Sequence, residues 1–172
     1  MGRKNRKLTE SGGPRYLSRE SCLLILEAWE KHNLEDRVLA AAFNQALADK
    51  TRTKQDVGFL REMLDGIVSH IDELDNILNE YIRGRSVRSV GGTERNTLRI
   101  ALWQILYTEI ATAVITNESL NMVRLLLGDD GDRAARFVNG VLMGAVRGMG
   151  LRDDVVPAQD HGLQNKQPLQ PL

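Results

Sequence analysis

An all-α fold, a compact bundle of about seven helices, is predicted by three observations. Apolar residues recur at spacings of three and four through most of the 172 residues, the period of one helix face. No segment shows strict apolar–polar alternation bounded by turn residues, so strands are not needed. Short polar breaks separate the apolar stripes, as in helices that pack against their neighbours in sequence. At 42% hydrophobic and 27% charged, the chain has ordinary globular composition and enough length to bury one continuous core.

Residues 1–14 are basic and polar and end in Gly12, Gly13 and Pro14, the composition of a flexible basic arm. A folded domain is expected over 15–150. From about Leu17, Cys22, Leu23, Ile25, Leu26 and Trp29 mark a helix, with Ser18 as its cap. Asn33 is placed to cap a second helix carrying Val38, Leu39, Ala42, Phe43 and Leu47. Val57, Leu60, Leu64, Ile67 and Ile71 form a third stripe. Leu74, Ile77, Leu78, Tyr81 and Ile82 continue it past a bend near Asp72. The basic loop RGRSVRSVGG follows. Thr93 and Glu94 then open a helix through Leu98, Ala101, Leu102 and Ile105. Thr116 or Asn117, with Glu118, is expected to open the next, and Gly128 to end it as a left-handed cap. Asp132 starts the last helix, whose core positions are Phe137, Val138, Val141, Leu142, Ala145, Val146 and Met149. Residues 151–172, with three prolines and no periodicity, read as a disordered tail.

Within the last helix, the run RFVNGVLMG is interrupted by Asn139 and Gly140. An amide inside a core helix must be satisfied, so Asn139 is expected to hydrogen-bond a neighbouring helix end or loop. Gly140, Gly144 and Gly148 are four apart, so they share nearly one face and leave a groove for another helix.

The formal net charge is zero, with 23 basic and 23 acidic residues, yet the charges are segregated. Residues 1–19 hold six cations against Glu10 alone, a net +5, and residues 83–99 hold five arginines against Glu94, a net +4. Residues 56–80 hold seven acids against Arg61, a net −6. Cys22 is the single cysteine, so no internal disulfide is expected and a buried thiol in a reducing compartment is. No apolar stretch approaches a membrane span, and the basic start lacks a signal-peptide core. A cytoplasmic chain with no membrane contact is expected.

Catalysis finds little support. His32, His70 and His161 have no metal-ligand spacing and no cysteine pair to complete a site, and no phosphate-cradling loop is present. Neither a metal nor a cofactor is expected. Asp72 and Asp75 could pair, but their three-residue spacing is more often a solvated helix face. Binding is better supported: Arg15 and Arg19 follow a basic arm at a helix start, which suits phosphate, and Tyr16 between them offers a stacking surface. Arg136 can stay at the surface while Phe137 packs beneath it. A basic turn such as that of Arg83, Arg85 and Arg88 is more often merely solvated.

Three motifs in order, SRESCLLILEAWE, TERNTLRIALWQI, and TNES followed by RFVNGVL, resemble the NusB family of bacterial transcription antitermination factors over residues 15–147. The resemblance implies an all-helical fold of two subdomains and a non-enzymatic role. Members pair with the ribosomal protein that doubles as NusE, bind boxA RNA of nascent ribosomal transcripts, and help RNA polymerase read through terminators. By position it implies RNA contacts at Arg15 and Arg19 and at Arg136 and Phe137, and a NusE contact at Glu94. Glu27 occupies a position near the partner surface that is often aromatic, and Arg133 lies where an acid sometimes sits. Asn117, Glu118, Asn139 and Gly140 match motif positions read as structural. The competing reading is a helical protein-interaction module without RNA affinity, its site defined by Glu94, Glu27 and the acidic helices. A dimerisation patch looks like core at this level, so a homodimer stays open.

Overall fold

The computed structural model describes residues 13–151, and among them the regular structure is seven α-helices and three 3₁₀ turns, with no strand. Most of the basic arm and nearly all of the C-terminal tail lie outside the described residues, as does His161. The chain packs as two compact units, one ending at Glu62 and one beginning at Met63.

The first unit holds α1 (Pro14–Lys31), α2 (Asp36–Ala48), a 3₁₀ turn (Lys50–Arg52) and the start of α3 (Val57–Ser69). Helix α1 begins one turn earlier than Ser18 would place it, because Pro14 at the first helical position fits the helix φ and has no N–H to satisfy. Ser18 is therefore inside the helix, its Oγ 3.0 Å from the Pro14 carbonyl and 2.7 Å from that of Asp56. Every residue from Tyr16 to Leu23 is buried, so the polar ones need partners. Arg52 donates to Glu20 at 2.9 Å. Ser21 Oγ donates to Gln55 at 2.7 Å, and the Gln55 amide donates to the Ala46 carbonyl at 2.9 Å. These bonds fasten the 49–56 connection to α1. Asn33 takes a positive φ of 55°, which asparagine tolerates better than most residues. It thus stops α1 rather than capping α2, which starts at Asp36.

The second unit contains the rest of α3, α4 (Ile71–Tyr81), a 3₁₀ turn (Val87–Ser89), α5 (Gly92–Tyr107), α6 (Thr112–Leu127), a 3₁₀ turn (Gly128–Asp130) and α7 (Gly131–Gly148). The bend expected near Asp72 falls at His70, between α3 and α4. Helix α5 is the centre: every residue from Asn96 to Leu106 is buried, with α4, α6 and α7 packed on it. Asp75 is not on a solvated face. Its carboxylate accepts from Arg99 Nε and Nη2, both at 2.7 Å, and joins α4 to α5, while Asp72 is exposed. Helix α6 begins at Thr112, a turn before the expected cap, so Asn117 and Glu118 lie inside it and Thr116 is buried. Gly128 ends it at φ 56°.

On α7 the expected arrangement of Asn139 and Gly140 is overturned. Val138, Val141, Leu142, Ala145 and Val146 face the core, whereas Asn139 and Gly140 are exposed. The Asn139 side-chain amide makes no hydrogen bond to a described residue. Nothing lies within 4 Å of where a Gly140 Cβ would stand, so no helix presses there. The residue costs about 1 kcal/mol in helix propensity relative to alanine without a packing return. Only the far end of the glycine row is used: Tyr81 lies against Gly144 and so closely on Gly148 that a side chain there would collide with its ring.

Candidate nucleic-acid interface

In each unit, arginine and phenylalanine stack. In the first, the Arg15 and Arg19 guanidiniums lie 4.8 Å and 5.3 Å from the Phe59 ring centroid, a cation–π distance. The two arginines differ in access. Arg15 has a side chain 57% exposed and a long 3.7 Å ion pair to Asp56, an arrangement that costs little to break. Arg19 is 5% exposed, and Tyr16, at 7%, presents no stacking face to solvent. The expected trio thus reduces to one surface cation, Arg15, on a support built from Arg19 and Phe59. Tyr16 belongs to the core because its helix is buried on nearly all sides.

The second unit brings together residues distant in sequence. Arg85, from the basic loop, lies over the Phe137 ring at 4.8 Å. The two line a cavity of about 350 Å³ with Glu94, Asp130, Arg133 and Ala134. The loop is held in place: Val87 and Val90 are buried, the Val87 N–H donates to Asn79 Oδ1 at 2.8 Å, and Arg95 donates to the Val90 carbonyl at 2.5 Å. Arg85 is therefore a positioned side chain, and nothing in the local charge pattern distinguishes it from its exposed neighbours Arg83 and Arg88. Arg133 is a second residue outside the expected set, paired with Asp130 at 3.2 Å where both are exposed.

Glu94 lies in the first turn of α5, where its charge suits the helix dipole. Its carboxylate oxygen is 2.5 Å from the place a Cβ would occupy on Gly91, so glycine there leaves the carboxylate its room. Arg136 is exposed on α7 and ion-paired to no described residue. Glu27 is half-buried on α1, and Asn117 is exposed on α6. Among the described residues no group of three His, Cys, Asp or Glu could hold a metal ion, and no helix is long and apolar enough to cross a membrane.

Chemically, the second-unit site combines an aromatic face, two guanidiniums and two carboxylates around an open cavity. A base can stack on the ring, the arginines can meet phosphate, and the carboxylates can accept hydrogen bonds. A family model described as the NusB family matches residues 17–147. The transcription antitermination protein NusB of Helicobacter hepaticus is 32% identical over 128 residues, covering 74% of this chain and 78% of that protein. That of Psychromonas ingrahamii is 28% identical over 141 residues, covering 81% and 92%. The chain also shares the fold of NusB solved from Aquifex aeolicus (TM-score 0.64, 22% identity, 86% of this chain and 99% of that one). A similar chain occurs in the crystal structure of antitermination factors NusB and NusE with dsRNA (TM-score 0.66, 21% identity, 77% and 96%). With its helical units, its motifs in order and a family match across nearly all of the described residues, this chain belongs to the NusB family.

Proposed function

We propose that the chain is a transcription antitermination factor that binds boxA-type RNA of ribosomal transcripts together with ribosomal protein NusE, and so promotes read-through by RNA polymerase. The action is non-enzymatic, and its place is the cytoplasm. The observation that carries this reading is Arg85 stacked on Phe137 at 4.8 Å beside a cavity that also includes Glu94. Phe137, read as RNA-facing, and Glu94, read as partner-facing, line the same cavity, which supports this reading. Phe137 stacks a base, Arg85 and Arg136 neutralise phosphate, and Glu94 faces NusE. Arg15 adds a phosphate contact from the first unit, with Arg19 positioning it through Phe59.

The test is fluorescence anisotropy of a boxA-type RNA beside a scrambled one, with and without NusE. Selective binding that tightens with NusE is expected. Phe137→Ala should weaken it by about 1–3 kcal/mol, the usual cost of losing one base–aromatic stack. Arg136→Glu should weaken binding of both RNAs and reduce the salt dependence. Equal binding of both RNAs by the wild type, unaffected by Phe137→Ala, refutes the proposal. The second reading, an interaction module without RNA affinity, draws on a groove between α1 and α2 lined by Leu24, Ala28, Ala42 and Ala46. It is favoured if NusE associates and neither RNA does.

A further inference from the structure

Helix α7 carries an outward-facing stripe that its own fold does not use. Arg133, Gly140 and Arg147 are exposed and seven residues apart, a spacing that drifts only about 20° per step around a helix. Arg136 lies beside them, one turn from Gly140. At 1.5 Å per residue the stripe from Arg133 to Arg147 is about 21 Å long. Neither Arg136 nor Arg147 is ion-paired to a described residue, and Arg133 meets only the exposed Asp130. In the middle, Gly140 leaves the helix backbone uncovered, with no neighbouring atom within 4 Å of a Cβ position. Two part-exposed aromatic rings flank the stripe on one side: Phe137, and Tyr81 where it lies against Gly144 and Gly148.

We propose that this stripe is a track for the sugar–phosphate backbone of single-stranded RNA, running from the Phe137 cavity toward Arg147, with the backbone passing closest to the helix at Gly140. The inference rests on the RNA reading above and extends the site along α7. Three observations support it. Two of its three arginines, Arg136 and Arg147, have no ion-pair partner among the described residues, and Arg133 has only the exposed Asp130, so a polyanion supplies the complementary charge. No described helix presses on its bare backbone, so the glycine leaves room for the close approach of a ligand. Its aromatic flank provides for bases turned away from the phosphates. A partner protein fits less well, because the face has little apolar area and its charge has one dominant sign.

The test separates folding from binding at a single residue. Gly140→Ala has room in the free protein and improves helix propensity, so its Tm should rise. If the backbone passes over Gly140, the added methyl should weaken binding of a fluorescein-labelled single-stranded boxA-type RNA by about tenfold. Arg147→Gln should reduce the magnitude of the slope of log affinity against log salt by about 0.7, the value for one single-strand phosphate contact. Both titrations use the full chain, alone and with NusE. Wild-type affinity in Gly140→Ala, together with an unchanged slope in Arg147→Gln, overturns the track while leaving RNA binding at Phe137 intact. Failure of the wild type to bind RNA in either condition overturns the RNA reading itself, and the track with it.

Discussion

Truncating Asp75 to alanine should be among the most damaging single changes in the second unit. Its carboxylate takes two charge-assisted bonds of 2.7 Å from Arg99, the parallel geometry that makes arginine–carboxylate pairs strong. The side chains are 6% and 14% exposed, so water replaces neither partner fully. Removing one member of such a buried pair typically costs about 3–5 kcal/mol, chiefly from the charge left behind. Arg99 would keep its 3.0 Å bond to Asn96 Oδ1, which argues for the lower end, about 3 kcal/mol. In a chain of this size each kcal/mol moves Tm by about 2–4 °C, so a fall of about 6–12 °C is expected.

Urea unfolding followed by circular dichroism measures this directly: the midpoint should fall with the slope unchanged. Pairing Asp75→Leu with Arg99→Met should recover most of the loss, because the double change leaves no buried charge. A loss within about 0.5 kcal/mol for Asp75→Ala, the range of ordinary surface substitutions, would refute the reasoning and mean that the pair is screened by solvent.

Gly66→Ala should destabilise by about 1–3 kcal/mol in the same assay, since a methyl there falls inside the Trp103 indole and the core must shift; unchanged stability would show that the indole moves freely. Burial pushes the Cys22 thiol well above its usual range, so a thiol reagent should not modify the native protein at neutral pH and should modify it fully in denaturant. Fast native labelling would contradict the burial. Burial first, and the Glu73 carboxylate second, push the Tyr107 phenol up to about 12 from 10.0. The fold favours its neutral form, so this contribution is complete below pH 10.0 and is lost as pH rises toward 12. Tyr107→Phe should flatten that part of the stability profile, and ultraviolet titration of the phenol locates the shift.

The helices were legible because each apolar stripe keeps its period over three or more turns. Their ends were less so. Pro14 read as part of the arm, although proline is as suited to the first turn of a helix as to a break. Thr116 and Asn117 read as a cap, because cap residues look the same inside a helix whose opening residues lack one; the residue before α6 is Ala111. The centrality of α1 and α5 was hidden for a related reason. Their buried Glu20, Arg19, Asn96 and Arg99 look like surface residues until the partners that neutralise them are known, and most of those partners are distant in sequence. Arg52 reaches Glu20 across 32 positions, and Asp75 reaches Arg99 across 24. Arg85 over Phe137 is the same kind of pairing across a still longer separation, so local charge patterning could not select Arg85 from its loop.

Asn139 and Gly140 show where a linear apolar string misleads and a rotation does not. Taken as a string, FVNGVLM places both inside the core. At 3.6 residues per turn each step rotates by about 100°, so starting from the buried Val138 the next two residues turn away and Val141 returns. The core needs neither the amide nor the missing side chain. An exposed asparagine followed by an exposed glycine, on a helix that would be more stable with alanine, has no explanation among the described residues. That face is open to an external contact, and Gly140→Ala, which should raise Tm and lower RNA affinity together, separates a residue retained for such a contact from one retained for packing.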